Sequence, residues 1–197
     1  VASRVEMGLG DIEAGFAAAD VIIERTFTSK PIHQGYIEPQ AALASASADG
    51  QCHLWSSTQA QFYARSLCAR INGMDQSQLR VTPTEVGGGF GGKIIATIEP
   101  VAVALSRKAG RPVRVVISRE EVFRAMGPTS GSTVRVRIGA TREGRITAAE
   151  AEIKLQAGAF PGAPVPSAVG RAFGGYFIEN VKSVGYDVVC NIPKIFP

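Results

Sequence analysis

The chain has 197 residues, of which 45% are hydrophobic and 19% are charged, so it can build one sizeable domain or two small ones and is not expected to be disordered. No apolar run approaches the roughly 18 residues that span a membrane, and Val1–Asp11 lacks the apolar segment of a signal peptide. The net charge of +4 comes from scattered basic residues without interleaved aromatic ones, which argues against a nucleic-acid partner and favours a small anionic ligand.

Side chains that commonly bind metals are scarce. The three cysteines, Cys52, Cys68 and Cys190, form no C-x-x-C motif, and we interpret them as free thiols in a reducing, cytoplasmic compartment. The two histidines are His33 and His53, so we expect no metal site made of protein ligands. A metal that acts here must be held by something other than protein side chains. Because the chain starts without methionine, we also expect it to be a piece of a longer protein.

The apolar pattern of the first half predicts alternating helices and strands. In chain order, the prediction is a helix at 11–20, strands at 21–29, 40–48 and 51–56, a helix at 59–72, a strand at 79–83, a helix at 94–109 and a strand at 113–118. Asp49-Gly50 is a hairpin turn signal, and Pro100 must kink or interrupt the helix around it. The near-continuous apolar run of the last strand predicts burial on both faces. Arg119-Glu120-Glu121 is predicted to be a charged turn after it.

The second half has a different pattern. Alternating apolar residues at 132–139 and 146–155 predict an antiparallel hairpin with one solvent-exposed face. Residues 158–175 are predicted to form a loop with a short helix near 166–174, and 181–189 a last strand. The predicted fold class is therefore mixed α+β. We divide the chain into an αβ part at 1–125, with a glycine loop between a strand and a helix, and a hairpin-rich part at 126–197.

Residues 87–93, Gly-Gly-Gly-Phe-Gly-Gly-Lys, form what we call the glycine loop, with five glycines in its first six positions. Such a loop lets a ligand approach the backbone closely, and N–H groups at the start of a helix suit anions. The alternative is a structural turn that binds no ligand. A P-loop is excluded because Ile94 stands where Ser or Thr would bind magnesium.

A dinucleotide site of the G-x-G-x-x-G type also stays open. It would use Gly87, Gly89 and Gly92. The acidic residue that such a site needs about 20 residues further on has only a loose match in Glu120 and Glu121, which lie 28 and 29 residues after Gly92. A glycine pattern of this kind is weak evidence when it stands alone.

Several motifs occur together, in one order. The glycine loop is followed by an apolar stretch and then by Gly110-Arg111-Pro112-Val113. Trp55–Gln59 (WSSTQ) precedes the loop, His33–Gln40 reads H-Q-G-Y-I-E-P-Q and is similar to an H-x-x-x-E-P stretch, and Ser118–Glu121 is an S-R-E-E turn. In this order and spacing the chain resembles the molybdopterin-binding large subunit of the xanthine dehydrogenase/aldehyde oxidase family of molybdenum hydroxylases. The resemblance covers roughly residues 5–195 and is specific through the combination of motifs.

The resemblance implies an oxidoreductase that hydroxylates a heterocycle or an aldehyde with water as the oxygen source. The cofactor would be molybdenum held by molybdopterin or by its cytosine dinucleotide form, with 2Fe-2S and FAD centres on partner subunits or domains. The implied partners are the rest of the large subunit, an iron–sulfur subunit, an FAD subunit and a small-molecule substrate, with a homodimer left open. Relatives that oxidise carbon monoxide or reduce 4-hydroxybenzoyl-CoA belong to the same family, so these reactions also stay open.

The resemblance also implies roles for residues. Gln59 matches a glutamine whose side-chain amide meets an oxygen ligand of molybdenum, and an amide donates a hydrogen bond without adding charge. Arg171 matches an arginine that faces the substrate and stabilises negative charge, which makes it the candidate catalytic residue. Cofactor contacts through loop N–H groups are expected at Gly88, Gly89, Phe90, Gly91 and Gly92.

Two departures from the family pattern limit the function. Ile94 stands where purine-oxidising relatives have a substrate-orienting glutamate, which argues for a less polar substrate. The catalytic glutamate of the family lies far beyond Pro197, and neither Glu38 nor Glu99 takes its place, so the chain alone is expected to be inactive. The alternatives are a dinucleotide-binding oxidoreductase module and a non-catalytic assembly domain. Molybdenum and pterin content would separate the three.

Overall fold

The computed structural model describes residues 1–196. The elements in chain order are β1 (Ser3–Leu9), α1 (Ile12–Ala17), β2 (Val21–Ser29), β3 (Ala41–Ala46), β4 (Cys52–Ser56), α2 (Gln61–Ile71), β5 (Leu79–Pro83), α3 (Glu99–Ala109), β6 (Val113–Val116), α4 (Arg119–Ala125), β7 (Ser132–Ala140), β8 (Ile146–Gly158), α5 (Val165–Arg171) and β9 (Val181–Val189). One turn of 3-10 helix, Gln76–Gln78, precedes β5. The mixed α+β fold class is confirmed.

The first of two compact units contains residues 1–32 and 130–195. Its five-stranded sheet has the order β1-β9-β8-β7-β2, in which β8 and β9 are parallel and the other pairs antiparallel. The predicted hairpin at 132–155 is the β7–β8 pair and is confirmed. Alternate residues of β8, among them Ile153 and Leu155, are buried with Val165 and Val169 of α5, so this helix covers one face of the sheet.

The second unit contains residues 33–129 and Phe196, and it carries the glycine loop. Its four-stranded sheet has the order β5-β4-β3-β6, with β4 and β5 parallel. The predicted hairpin around Asp49-Gly50 is the antiparallel pair β3–β4. Helices α2 and α3 are buried against it through small side chains, among them Ala64, Cys68 and Ala102. The motif residues 57–59 follow directly where β4 ends.

The structure divides the chain differently from the sequence-based division at residue 125. Residues 1–32 belong with the hairpin-rich half, because β2 pairs with β7 over its full length, from Val21 to Ser29. Strand β1, which was not predicted, pairs with β9 over Ser3–Leu9. The pairing partner of each strand lies more than a hundred residues away in the chain, so local patterns could not reveal it.

Three local predictions were wrong. The helix predicted at 94–109 begins at Glu99, which places Pro100 in its first turn, where no backbone N–H is needed. Strand β6 is an edge strand that alternates between half-buried and exposed residues, rather than buried on both faces. The predicted charged turn at 119–121 is the first turn of α4, because Ser118 and Glu121 form a reciprocal capping box.

Candidate functional site

The glycine loop is a series of tight turns between β5 and α3. Gly88 and Gly91 have positive φ angles of 87° and 95°, and Phe90 between them has a φ of 50°. The N–H of Gly92 donates to the carbonyl of Gly89 at 2.8 Å, which closes the loop tip. Because α3 starts only at Glu99, the loop is not the N-terminus of a helix, and its N–H groups are exposed by the turns themselves.

Gln59 holds this loop from the end of β4. Its side-chain Oε1 accepts hydrogen bonds from the backbone N–H groups of Gly91 and Lys93, both at 3.1 Å. Its own N–H and the hydroxyl of Thr58 donate to the carbonyl of Lys93, at 3.0 Å and 3.2 Å. Since both groups in contact with this atom are N–H donors, it must be the amide oxygen and not the amide nitrogen. Its Nε2 makes no hydrogen bond within residues 1–196 and is available as a donor.

Two glycines leave room for these contacts. A Cβ at Gly89 would lie 2.4 Å from Oε1 of Gln59, and a Cβ at Gly92 would lie 2.6 Å from Cε1 of Tyr36. No larger residue fits at either position without moving Gln59 or Tyr36. The close packing therefore explains these glycines, whereas conformational freedom explains Gly88 and Gly91.

Three consecutive loop N–H groups are left without an acceptor. In the part of the chain that the structure describes, the N–H groups of Gly88, Gly89 and Phe90 make no hydrogen bond. The Phe90 side chain is 70% exposed at the loop tip. Successive N–H groups in turns form a concave donor surface that suits an anionic or oxo group. Together with Nε2 of Gln59, the tip of the loop at Gly88–Phe90 offers uncharged donors.

An ion pair lies behind the loop. The ammonium of Lys93, whose side chain is 1% exposed, donates to Oε2 of Glu38 at 2.5 Å, and the N–H of Gly87 donates to the same oxygen at 2.7 Å. Lys93 also lies 5.3 Å from the ring centroid of buried Tyr36. Burial alone would raise the pKa of Glu38, but the hydrogen bonds from Lys93 and Gly87 outweigh it and lower this pKa below its ordinary value. No role for Lys93 was predicted from the sequence.

The remaining candidates lie elsewhere. Arg171 is the exposed last residue of α5 in the first unit, so the structure does not bring it into the unit that carries the loop. Glu99 is buried and accepts hydrogen bonds from the Ser56 hydroxyl at 2.8 Å and from the Thr97 N–H at 2.7 Å, which is a structural role. Within residues 1–196 no cluster of three acidic, histidine or cysteine side chains could hold a metal.

The topology contradicts the dinucleotide-binding alternative. That site requires a loop that enters a helix directly and two parallel strands joined through that helix. Here α3 begins only at Glu99, six residues after the loop, and β5 and β6, although they run in the same direction, lie at opposite edges of the sheet with β4 and β3 between them. Among the described residues, no helix has both the length and the apolar character that a membrane span requires.

Comparisons with known proteins show the family of the chain. Residues 1–195 match the family described as "Molybdopterin cofactor-binding domain". The chain is 30% identical over 185 residues to a probable xanthine dehydrogenase subunit of Bacillus subtilis (strain 168), covering 92% of this chain and 25% of that protein. It is 29% identical over 187 residues to the nicotinate dehydrogenase large molybdopterin subunit of Eubacterium barkeri, covering 93% of this chain and 44% of that one. The chain thus spans less than half the length of either relative.

Solved structures show the same fold. The aldehyde oxidoreductase of Desulfovibrio gigas superimposes with a TM-score of 0.86 at 25% identity, covering 99% of this chain and 22% of that one. The CO dehydrogenase of Oligotropha carboxidovorans superimposes with a TM-score of 0.80 at 26% identity, covering 98% and 25%. The chain therefore belongs to the molybdopterin cofactor-binding domain family of molybdenum hydroxylases.

Proposed function

We propose that Gln59 and the glycine loop hold one side of a molybdenum–molybdopterin cofactor in an oxidoreductase that hydroxylates a heterocycle or an aldehyde. The observation that supports this most strongly is the orientation of the Gln59 amide, whose oxygen is occupied by the loop while its Nε2 is left as a donor. When bound, the cofactor supplies two-electron redox chemistry at its molybdenum. The chain supplies neutral hydrogen-bond donors for it.

These donors fit the cofactor chemically. An oxygen ligand of molybdenum accepts hydrogen bonds, and the loop offers the N–H groups of Gly88, Gly89 and Phe90 without an internal acceptor. Donors fixed by turns stabilise charge with little reorganisation, since no side chain has to move. In our proposal, Gly91 and Gly92 shape the loop. The Gly91 N–H is taken by Gln59 and the Gly92 N–H by the Gly89 carbonyl.

Substrate selection is proposed to involve two further residues. Ile94, which is half-buried directly after the loop, cannot hydrogen-bond through its side chain, so we propose a substrate less polar at this point than a purine. Arg171 is proposed to stabilise negative charge on the substrate, as the family resemblance implies. Its exposed position at the end of α5 leaves the guanidinium free to act in this way.

The electron path is also part of the proposal. We propose a cytoplasmic enzyme in which the rest of the large subunit completes the cofactor cleft. A relative named as a large molybdopterin subunit supports the existence of further subunits. Iron–sulfur (2Fe-2S) and FAD subunits would then carry the electrons away. The cofactor would be molybdopterin or its cytosine dinucleotide form, and the CO dehydrogenase fold match keeps a carbon monoxide-type reaction as the second candidate.

The test removes the Nε2 donor of Gln59, once with and once without its Oε1 acceptor. In the full-length protein, Gln59→Glu keeps an oxygen for the N–H groups of Gly91 and Lys93 but loses the Nε2 donor, and Gln59→Ala loses both. We expect molybdenum and pterin per chain to fall roughly tenfold or more in both variants, since a hydrogen bond to a charged group contributes about 1.5–3 kcal/mol. Gln76→Glu, at an exposed glutamine, is the matched control.

Three outcomes would count against the proposal. Wild-type protein that carries a dinucleotide and no molybdenum would support a dinucleotide-binding module instead. Wild-type protein that carries neither would support a non-catalytic assembly domain. Unchanged molybdenum and pterin content in Gln59→Glu, measured by elemental analysis and by the fluorescence of the oxidised pterin, would show that the Nε2 donor does not hold the cofactor.

A further inference from the structure

Glu38 contacts both ends of the glycine loop. Its Oε2 accepts hydrogen bonds from the N–H of Gly87, the first loop residue, at 2.7 Å and from the ammonium of Lys93, the last, at 2.5 Å. Its backbone N–H donates to the carbonyl of Gly87 at 3.2 Å. One residue outside the loop therefore fixes the separation of the loop's two ends.

The contact at Gly87 is also sterically close. A Cβ at this position would lie 2.7 Å from the Cβ of Glu38, so glycine is required for the backbone to reach the carboxylate. The two hydrogen bonds between Glu38 and Gly87 run in opposite directions, one through the side chain and one through the backbone. Together, these two hydrogen bonds restrict both translation and rotation of the backbone at Gly87.

At the other end, Lys93 cannot reach water. Its side chain is 1% exposed, and apart from Glu38 its ammonium meets the ring of Tyr36, 5.3 Å from the centroid. The Tyr36 hydroxyl in turn accepts a hydrogen bond from Nε2 of Gln40 at 2.5 Å, and both of these side chains are buried. A buried ammonium requires a charged partner, so the loop end is bound to Glu38 at this place.

The backbone of Lys93 connects this ion pair to the cofactor donor. Its N–H donates to Oε1 of Gln59 at 3.1 Å, and its carbonyl accepts from the N–H of Gln59 at 3.0 Å. We propose that Glu38 is a positioning residue that joins the two ends of the glycine loop and, through Lys93, fixes the direction of the Gln59 amide. The inference rests on the proposed function, because it takes this amide and the loop N–H groups as the cofactor contacts.

A purely structural role predicts a different result. If Glu38 merely neutralises the buried ammonium, removing both charges should restore all properties of the chain. The test therefore compares Glu38→Gln, Lys93→Met and the double variant Glu38→Gln/Lys93→Met. Glu120→Gln is the control, since it breaks an exposed ion pair with Arg124 on α4.

Two quantities are measured on the chain without cofactor. Denaturant unfolding reports global stability, and amide hydrogen exchange by NMR reports the protection of the Gly91 and Lys93 N–H groups. We expect the double variant to regain wild-type global stability, while protection of both amides stays roughly tenfold or more below the wild-type level, as loss of a charged hydrogen bond implies. Wild-type protection in the double variant would overturn the proposal.

The full-length protein then tests the link to the cofactor. We expect its molybdenum and pterin content to fall in Glu38→Gln and in the double variant but not in Glu120→Gln. Full cofactor content despite lost amide protection would overturn the positioning role. By contrast, wild-type protein with well-protected loop amides and no molybdenum would contradict the proposed function and leave the mechanical role of Glu38 intact.

Discussion

A Cβ atom on Gly89 would lie 2.4 Å from the side-chain oxygen of Gln59. The loop and the glutamine are thus packed closely at the point where the amide oxygen accepts the N–H groups of Gly91 and Lys93. The φ angle of Gly89 is not positive, so its backbone is open to any residue and only the side chain of Gln59 excludes a larger one.

Replacing Gly89 with alanine is therefore expected to move Gln59 rather than to strain the backbone. The added methyl group should displace Oε1 from the N–H groups of Gly91 and Lys93, with a stability loss of about 1–3 kcal/mol from overpacking. Cofactor content of the full-length protein should fall with it. Gly175→Ala, where a Cβ meets nothing within 4 Å, is the control for both measurements. Equal cofactor content in the two variants would contradict the prediction.

Phe90 gives a prediction about backbone strain. Its φ of 50° is left-handed, which disfavours a residue with a Cβ by roughly 1 kcal/mol or more. We expect Phe90→Gly to be more stable than Phe90→Ala by about 1 kcal/mol, as measured by urea unfolding. Phe62 is also exposed but lies within helix α2. There we expect the alanine variant to be more stable than the glycine variant, because alanine favours a helix over glycine by about 1 kcal/mol. If the alanine variant is the more stable one at both positions, the left-handed conformation of Phe90 is refuted.

The pH dependence of the loop follows from Glu38. Because the hydrogen bonds from Lys93 and Gly87 lower the pKa of Glu38, its stabilising contribution is fully present above the ordinary value of 4.5 and is lost as the pH falls through the lowered pKa. We expect the amide resonance of Gly87 to stay constant from neutral pH to below 4.5 and then to titrate. Glu38→Gln should abolish this titration. A transition above 4.5 would contradict the assignment of this hydrogen bond.

The cysteines should differ in reactivity. Burial raises the pKa of Cys68 to about 12, with smaller contributions from Glu99 and Cys52, and burial also raises the pKa of Cys52. Cys190 is half-buried. With Ellman's reagent at pH 8 we expect Cys190 to react first, and the two buried thiols only after denaturant is added. Fast labelling of Cys68 in the native chain would contradict its burial, and Cys190→Ser should remove the fast phase.

Local patterns predicted most single elements well. Asp49-Gly50 lies between β3 and β4 as a hairpin turn, and Gly73 follows the end of α2 with a positive φ of 61°. These signals depend on the conformations of one or two residues, so neighbours in the sequence suffice to detect them. The helix start before Pro100 was predicted wrongly, since proline disrupts a helix interior but is accepted in the first turn, where the structure places it.

The sequence by itself determined the mixed fold class and the family motifs at Gln59 and the glycine loop, because residue types and their spacing carry that information. The tertiary structure alone decided how they are joined. The carboxylate of Glu38 reaches Gly87 and Lys93 across 49 and 55 residues, and the amide of Gln59 reaches the loop across 32 and 34. A hydrogen bond acts over about 3 Å, so such contacts exist only once the sheet has brought distant segments together. For that reason Glu38 and Lys93 gained a role in the site that no local pattern had shown.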